Sequence, residues 1–305
     1  MRILFIGGTR FVGRAIAEHA MNLGHEVTLV HRGNNPVPGA ENIITDRESG
    51  LDALAGRQWD ATVDVCAYRP HQVDAVADAL GDRAGRYVFI STVSVYASNI
   101  AADSDESAEV CDTTAVQNNA DTVAIDAQTY GPLKVLAERQ TLARFQAPLI
   151  IRPTYVIGPH DYTMRFPTWV QRIAEQSTVE CPEPADAAMQ YIDARDQAAF
   201  VLGLLQQGSA GAFHCAAPKT TFGEMLTTIK RALNSEAELV WSSAQQCENR
   251  ESEFPLWAGG ESAPMLQMNP AAALSHGLRF RDLVETVIDT YAWLGNQQTG
   301  TAHTS

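Results

Sequence analysis

The chain has 305 residues, of which 45% are apolar, and its 36 acidic against 22 basic residues give a formal net charge of −14 at pH 7. No stretch approaches the roughly 18 consecutive apolar residues of a membrane-spanning helix, which excludes a membrane protein. The acidic balance and the lack of a visible basic patch disfavour a nucleic-acid partner. The five cysteines form no CxxC pair and have no histidine at ligand spacing, so we expect no metal site.

The first 95 residues alternate short apolar strands with helical segments. Strands are predicted at residues 2–6, 26–30, 61–66 and 86–90, and helices at 12–23 and 72–80. Strict alternation of this kind predicts a parallel sheet with helices on both faces. The fold class is therefore α/β, with a doubly wound, Rossmann-like parallel sheet.

The remainder of the chain alternates less regularly. Helices are predicted at residues 130–145, 166–176, 196–206, 222–233 and 282–294, and strands at 148–152, 190–193 and 212–215. Gly158-Pro159 breaks the chain after the strand at 148–152, and we expect a smaller C-terminal lobe to begin there.

The residues at positions 7–13 read GGTRFVG and lie between the first strand and the first helix. Glycine permits a sharp turn and a close approach to a pyrophosphate, whose charge the following helix N-terminus stabilises. The turn therefore predicts a dinucleotide site, with cofactor contacts from Gly7, Thr9, Arg10, Phe11, Val12 and Gly13.

The end of the second strand bears on which dinucleotide binds. His31 stands where an acid would hold the 2′-hydroxyl of NAD, and Arg32 or Arg10 can pair with a 2′-phosphate. NADP(H) is favoured and NAD(H) stays open, since both arginines would also suit a solvated surface. Asp46 is a candidate adenine contact, with a plain loop aspartate as the alternative.

A phenol and an ammonium lie four residues apart in Tyr130-Gly131-Pro132-Leu133-Lys134, at the start of a predicted helix. The two side chains then share one helix face, and a nearby cation is expected to lower the pKa of Tyr130 and make it a useful acid/base. Thr92 and Ser94 end a predicted strand, where ligands of such sheets bind. The alternatives are a surface Tyr/Lys pair and hydroxyls that satisfy a turn.

The glycine turn, the strand-end hydroxyl, the YxxxK pair and Arg152-Pro153 with Gly158-Pro159 resemble an extended or atypical short-chain dehydrogenase/reductase of the NAD-dependent epimerase/dehydratase family. The resemblance implies that Thr92 is the catalytic hydroxyl, that Tyr130 is the acid/base and that Lys134 holds the nicotinamide ribose. Arg10 replaces the family's middle glycine, and Val93-Ser94 replaces the acidic pair of sugar dehydratases, which disfavours dehydration. The GGTRF opening also resembles a branch that includes chloroplast stem-loop RNA-binding proteins.

The resemblance also sets the expected domains and function. We expect an NAD(P)-binding Rossmann domain at residues 1–157, which takes back about 190–217, and a mainly substrate-binding lobe at 158–305. The expected protein is a cytoplasmic NAD(P)-dependent oxidoreductase or epimerase that acts on a small molecule. A homodimer that packs the Tyr130 helix follows from the resemblance. The alternative is a non-catalytic nucleotide-sensing or RNA-binding protein on the same fold.

Candidate substrate contacts are Ser94, Tyr155, His160 and Arg195, with an interlobe salt bridge as the alternative for Arg195. Residues 97–128 contain seven acids and no Lys or Arg, so half of the net charge falls between Thr92 and Tyr130. We expect this acidic stretch to border the active site, which favours a neutral or cationic substrate. His214, in an apolar strand, is expected to be a hydrogen-bonded core histidine.

Overall fold

The computed structural model describes residues 1–48, 50–247, 250–258 and 264–301. The strands, in chain order, are β1 Arg2–Ile6, β2 Glu26–His31, β3 Glu41–Ile44, β4 Ala61–Asp64, β5 Arg86–Ile90, β6 Leu149–Pro153, β7 Tyr155–Ile157, β8 Thr178–Pro182, β9 Ala188–Met189, β10 Tyr191–Asp193, β11 Gly211–Cys215, β12 Thr220–Thr221 and β13 Glu238–Ser242. The α-helices, in chain order, are α1 Phe11–Asn22, α2 Pro70–Leu80, α3 Tyr130–Arg144, α4 Arg165–Glu175, α5 Ala194–Gln207, α6 Phe222–Ala232, α7 Ala244–Cys247, α8 Ala271–Ser275 and α9 Leu283–Thr301.

Seven parallel strands form the central sheet, in the order β11-β6-β5-β4-β1-β2-β3. The chain runs from β1 outward to β3 on one side and then returns to β4 on the other side of β1. Ligands of doubly wound sheets bind at the carboxyl ends of the strands beside such a switch in strand order. The sheet therefore places a binding crevice beyond β1 and β4.

Apolar side chains cover both faces of this sheet, because successive residues of a strand point to opposite faces. Ile3 and Phe5 of β1 pack on the side of α1 and α5, and Leu4 and Ile6 pack on the side of α2 and α3. The predicted Rossmann-like fold is thus confirmed, with layers of helix on both sides of a parallel sheet.

A second hydrophobic core lies in the C-terminal half. It joins α4, α6 and α9 to the small pair of strands β8 and β13, with Trp169 and Phe222 in edge contact at its centre. Between its segments the chain returns to the central sheet, where β11 pairs with β6 and α5 packs on α1. The domain boundary at residues 157 and 158 stays a prediction. Among the described residues, no helix is long and apolar enough to cross a bilayer.

Most predicted elements of the central sheet agree with the structure, and the strands at Arg2–Ile6 and Arg86–Ile90 have the predicted bounds. The edge strand β3 was not predicted, because four residues of the sequence ENII carry no clear alternation. The strands β7, β8, β9, β12 and β13 were also missed, and none of them is longer than five residues.

Candidate functional site

A cavity of about 910 Å³ opens at the carboxyl ends of the central strands. Its lining comes from the loops after β1, β2, β3, β4, β5 and β6 and from the start of α3 and α4. The predicted site residues that line it are Gly7, Thr9, Arg10, Phe11, Val12, Gly13, His31, Arg32, Asp46, Thr92, Ser94, Tyr130, Lys134 and Tyr155. The structure thus brings the predicted cofactor turn and the predicted catalytic residues into one cavity.

The glycine turn packs too closely for side chains. Gly7 and Gly8 have φ of +83° and +92°, and a Cβ on Gly13 would lie 2.4 Å from the Gly8 Cα. The Gly7 amide donates to the Val30 carbonyl at 2.8 Å, so the turn is tied to the end of β2. This bare backbone at the start of α1 fits a dinucleotide pyrophosphate, which needs close approach to amides and a helix N-terminus.

Arg10 stands where the family's turn has its middle glycine, and its side chain extends toward the cavity rim. Its backbone is extended at the N-cap of α1, and its guanidinium lies 5.1 Å from the centre of the Tyr162 ring. The side chain therefore runs along the cavity rim toward the loop before α4, where it remains available to a phosphate.

At the adenine end of the predicted site, the structure leaves His31 no ring nitrogen for the predicted cofactor contact. His31 is buried, its Nδ1 accepts from the Gly33 amide at 3.0 Å and its Nε2 lies 3.0 Å from the Asn42 side-chain oxygen. Both ring nitrogens are therefore used within the fold, and His31 shapes the cavity wall without a free nitrogen for a ligand. Arg32 is exposed and has no ion pair within the described residues. Asp46 lines the cavity, and its carboxylate accepts from the Glu48 amide at 3.0 Å.

A buried ion pair that the sequence did not reveal lies behind the cavity wall beside β4, where Arg47 lines the cavity and Asp64 does not. Both guanidinium nitrogens of Arg47 donate to Asp64, at 2.9 and 2.8 Å, and the Tyr87 hydroxyl donates to the same carboxylate at 2.7 Å. Burial alone would raise the pKa of Asp64, but the Arg47 charge and these hydrogen bonds hold it below its usual value. The pair fixes the loop after β3 against the last residue of β4.

Tyr130 is the first residue of α3, and its position depends on its neighbour. A Cβ on Gly131 would lie 2.2 Å from the Ser94 carbonyl oxygen, so the helix start packs directly on the turn at Val93–Val95. The Thr92 hydroxyl caps that turn by accepting from the Ser94 amide at 3.1 Å. This packing brings the Thr92 side chain close enough to the Tyr130 phenol to affect its pKa.

The predicted effect of Lys134 on Tyr130 is wrong for the free protein. Burial raises the pKa of Tyr130, and the opposing effects of the Thr92 hydroxyl and the Arg165 charge do not reverse this. The Lys134 ammonium instead donates to the backbone carbonyls of Ala67 and Ile90, at 2.8 and 2.7 Å. Tyr130 is therefore a protonated phenol at neutral pH in the free protein.

Lys134 itself has an altered acidity. Its side chain is 3% exposed and lies 4.1 Å from the centre of the Phe89 ring. Burial lowers the pKa of Lys134 to about 8, although the nearby carboxylates of Asp64 and Glu138 raise it. A small change in its surroundings can therefore change its charge near physiological pH.

The next residue on the same helix face, Glu138, begins a buried polar network. Its carboxylate accepts from Arg152 at 3.0 and 2.6 Å and from the Ser91 hydroxyl at 2.5 Å. Arg152 also donates to the Tyr96 hydroxyl at 2.7 Å, which lies 2.5 Å from His214 Nε2. The prediction of a hydrogen-bonded core histidine at His214 is confirmed. The hydrogen bonds of Arg152 are made within this network, and Arg152 is not among the described residues that line the cavity.

Two predicted substrate residues lie elsewhere. Arg195 is held by Asp193, at 3.0 and 2.7 Å, and by Asp289 of α9, which is the interlobe salt bridge named as its alternative. The His160 ring packs 5.7 Å from the centre of the Trp293 ring. Neither residue is among the described residues that line the cavity. The structure therefore does not support a substrate contact for His160 or Arg195.

The acidic stretch at residues 97–128 does not border the cavity as expected. Asp103 pairs with Lys219 at 2.7 Å, Asp121 pairs with His71 at 2.6 Å and Glu106 accepts from the His214 amide at 2.7 Å. Its acids are absent from the described lining. The argument for a neutral or cationic substrate therefore loses its basis.

A model of the NAD dependent epimerase/dehydratase family matches residues 71–216, a segment that contains Thr92, Tyr130 and Lys134. The match covers 146 of the 305 residues and supports the predicted resemblance to this family and the prediction of an enzyme.

Individual relatives are more distant. The chloroplast stem-loop binding protein of 41 kDa b from Arabidopsis thaliana is 23% identical over 224 residues, which cover 67% of this chain and 55% of that protein. The chain thus spans about half the length of this relative. Among solved structures, WbmH of Bordetella bronchiseptica in complex with NAD+ has a TM-score of 0.74 at 17% identity, over 97% of this chain and 99% of that one. The UDP-glucose 4-epimerase of Thermotoga maritima with UDP-glucose has a TM-score of 0.74 at 15% identity, over 98% and 100% of the two chains. At these identities the likeness establishes the fold.

Gly131→Ala tests the packing that positions Tyr130. The added methyl meets a backbone oxygen that cannot move alone, so we expect a loss of about 1–3 kcal/mol in the free energy of unfolding, measured by urea denaturation. Gly203→Ala in α5 is the control, because nothing lies within 4 Å of its Cβ position. Equal stability of the two variants would contradict the close contact with Ser94.

The acidity of Lys134 predicts a pH-dependent stability. Between pH 8 and about 10.5 the unfolded chain keeps the Lys134 proton that the folded chain has released, so the stability of the wild type rises with pH. We expect the wild type to gain about 1 kcal/mol per pH unit in this window relative to Lys134→Met. Urea denaturation of both proteins from pH 7 to 10 measures the difference, and a flat difference would show that Lys134 has an ordinary pKa.

Proposed function

We propose that this chain, which matches a model of the NAD-dependent epimerase/dehydratase family, is an NAD(P)-dependent oxidoreductase or epimerase. It would act at a carbinol or carbonyl carbon of a small molecule. The observation that carries this proposal is that one cavity is lined both by the glycine turn and by Thr92, Tyr130 and Lys134. A dinucleotide whose pyrophosphate lay on the turn would extend across the sheet toward Tyr130.

The residues present fit a dinucleotide. The bare turn from Gly7 to Gly13 would hold the pyrophosphate on its amides, and Asp46 lies on the adenine side of the cavity. We favour NADP(H), because Arg32 is exposed at the end of β2 and no carboxylate stands at position 31 to repel a 2′-phosphate. NAD(H) remains the alternative.

The chain's own residues would then transfer the proton. The bound nicotinamide would supply or accept the hydride. In carbonyl reduction, the Tyr130 O–H bond breaks and its proton passes to the substrate oxygen as the carbon gains the hydride; oxidation reverses both transfers. Thr92 would orient the substrate oxygen, and the Lys134 ammonium would stabilise the phenolate that Tyr130 becomes. Epimerisation would use the same steps in both directions, with the hydride returned to the opposite face.

The raised pKa of Tyr130 favours the reductive direction in the free protein, because a protonated phenol is a proton donor. Lys134 is the residue that would hold the ribose of a bound cofactor. An ammonium near the phenol would lower the pKa of Tyr130, as oxidation requires.

The remaining expectations stay part of the proposal. We place the enzyme in the cytoplasm, without a nucleic-acid or membrane partner. A homodimer through α3 is supported by Leu142, which is 58% exposed on that helix. The RNA-binding alternative is disfavoured by the net charge of −14. RNA binding that weakens steeply with salt would favour that alternative.

Tyr130→Phe tests the acid/base role. We expect turnover of any carbonyl compound or alcohol accepted by the wild type to fall by about 10²- to 10⁴-fold, because the proton donor is lost. NADPH affinity should stay within about twofold, since the ring remains. NADPH fluorescence measures both, with Tyr191→Phe in β10 as the control outside the cavity. Unchanged turnover in Tyr130→Phe would refute the assignment.

Arg32→Ala tests the cofactor preference. Loss of a charged partner for the 2′-phosphate should weaken NADPH binding by about 10- to 100-fold and leave NADH binding nearly unchanged. Arg2→Ala is the control, because this exposed arginine begins β1, at the end of the strand opposite to the glycine turn. Equal losses for both cofactors would show that Arg32 does not read the 2′-phosphate.

A further inference from the structure

The cavity carries a cluster of positive charge within an acidic protein. Its lining includes the five basic residues Arg10, Arg32, Arg47, Lys134 and Arg165, against the two acids Asp46 and Glu48. Arg47 is paired with Asp64, but the other four have no carboxylate within 4 Å among the described residues. Other arginines of the chain do have such a partner, as Arg152 has Glu138 and Arg195 has Asp193. Cations that gather in one cavity without a paired carboxylate indicate anionic ligands.

The cofactor accounts for three of these four cations. Arg10 and Arg32 follow β1 and β2, on the side of the sheet where the phosphates and the 2′-phosphate would lie, and Lys134 would hold the ribose. Arg165 belongs to the opposite wall. It is the first residue of α4 and lies over the Tyr155 ring, with its guanidinium 5.7 Å from the ring centre.

The side chain of Arg165 is held in place without being neutralised. Its Nε donates to the Thr163 hydroxyl at 3.1 Å, and the described residues provide no hydrogen-bond acceptor for its two terminal nitrogens. The residue is half-buried, so its charge is only partly screened by solvent. The Arg165 charge also acts on the Tyr130 phenol and opposes the rise in its pKa. A group bound by Arg165 would therefore lie close to the reacting carbon.

We propose that Arg165 determines substrate specificity by binding a carboxylate or a phosphate of the substrate, a few bonds from the carbon that exchanges hydride. The assignment rests on the proposed function, because it places the substrate beside Tyr130. It replaces the expectation of a neutral or cationic substrate. The planar guanidinium offers two parallel N–H donors, which match either anion.

The test uses two pairs of small secondary alcohols, and the two compounds of each pair differ in one anionic group. The carboxylate pair is 3-hydroxybutyrate and 1,3-butanediol, and the phosphate pair is glycerol 3-phosphate and glycerol. Binding of each probe to the NADP⁺-loaded full chain is measured by ligand-observed NMR for the wild type and for Arg165→Leu. Arg172→Leu is the matched control, because this arginine lies two turns further along α4, outside the described cavity lining, and donates to the Glu253 carbonyl.

We expect at least one anion to bind the wild type and Arg172→Leu about 10- to 100-fold more tightly than its neutral partner. That preference should vanish in Arg165→Leu, with NADP⁺ affinity within about twofold. The pair that shows the preference identifies carboxylate or phosphate. The proposal is overturned if neither anion is preferred by the wild type, if the preference survives in Arg165→Leu, or if Arg165→Leu weakens only NADP⁺ binding.

The binding result can be interpreted without turnover. A preference that depends on Arg165, together with no hydride exchange in the wild type and no effect of Tyr130→Phe, would contradict the proposed function and leave the anion site standing. Turnover that depends on Tyr130 without an anion preference would do the opposite.

Discussion

The burial of one polar face of α3 against the sheet is the constraint on which the site depends. Tyr130, Lys134 and Glu138 follow each other at intervals of four residues and so lie on one face of the helix. Lys134 and Glu138 are 3% and 4% exposed, and a charge so deeply buried must be compensated. Two backbone carbonyls compensate Lys134, and Arg152 with Ser91 compensates Glu138.

These compensating contacts fix the direction of the helix as well as its charge. They join α3 to the loop after β4 through Ala67, to the end of β5 through Ile90 and Ser91, and to β6 through Arg152. The close contact between Gly131 and the Ser94 carbonyl sets the distance between the start of α3 and the turn at Val93–Val95. Removal of one partner from a buried ion pair costs about 3–5 kcal/mol, so the network resists rearrangement. The phenol at the helix start is thereby positioned by contacts along two turns of α3.

The distribution of charge separates structural pairs from ligand contacts. Outside the cavity, several basic residues, among them Arg195 and Lys219, are bound to carboxylates. Inside it, Arg10, Arg32 and Arg165 keep their charge without such a partner among the described residues. Anionic ligands would complete this arrangement, with the cofactor phosphates on one wall and a substrate anion on the other.

Local patterns in the sequence were sufficient for the sheet, the glycine turn and the spacing of Tyr130 and Lys134, because each depends on neighbours within a few residues. Contacts between distant segments were not predictable from such patterns. Arg47 meets Asp64 across 17 positions, and the exclusion of Arg195 from the cavity depends on Asp289 in the last helix.

The acidity of Tyr130 shows the same limit. The spacing to Lys134 suggested a lowered pKa, whereas the structure buries the phenol and directs the ammonium to carbonyl oxygens. The place of Arg165 in the cavity was not predictable from the sequence, because it depends on the packing of its side chain over the Tyr155 ring of β7. Its one sequence signal is a basic residue just after the Gly158-Pro159 break.

A crystal structure of the protein with NADP⁺ would test the central claim most directly, that one cavity holds the cofactor and the acid/base together. The account predicts the pyrophosphate on the amides of the turn from Gly7 to Gly13, the nicotinamide beside Thr92 and Tyr130, and Lys134 moved from the Ala67 and Ile90 carbonyls to the ribose. A dinucleotide bound away from the glycine turn, or a nicotinamide out of reach of Tyr130, would contradict it.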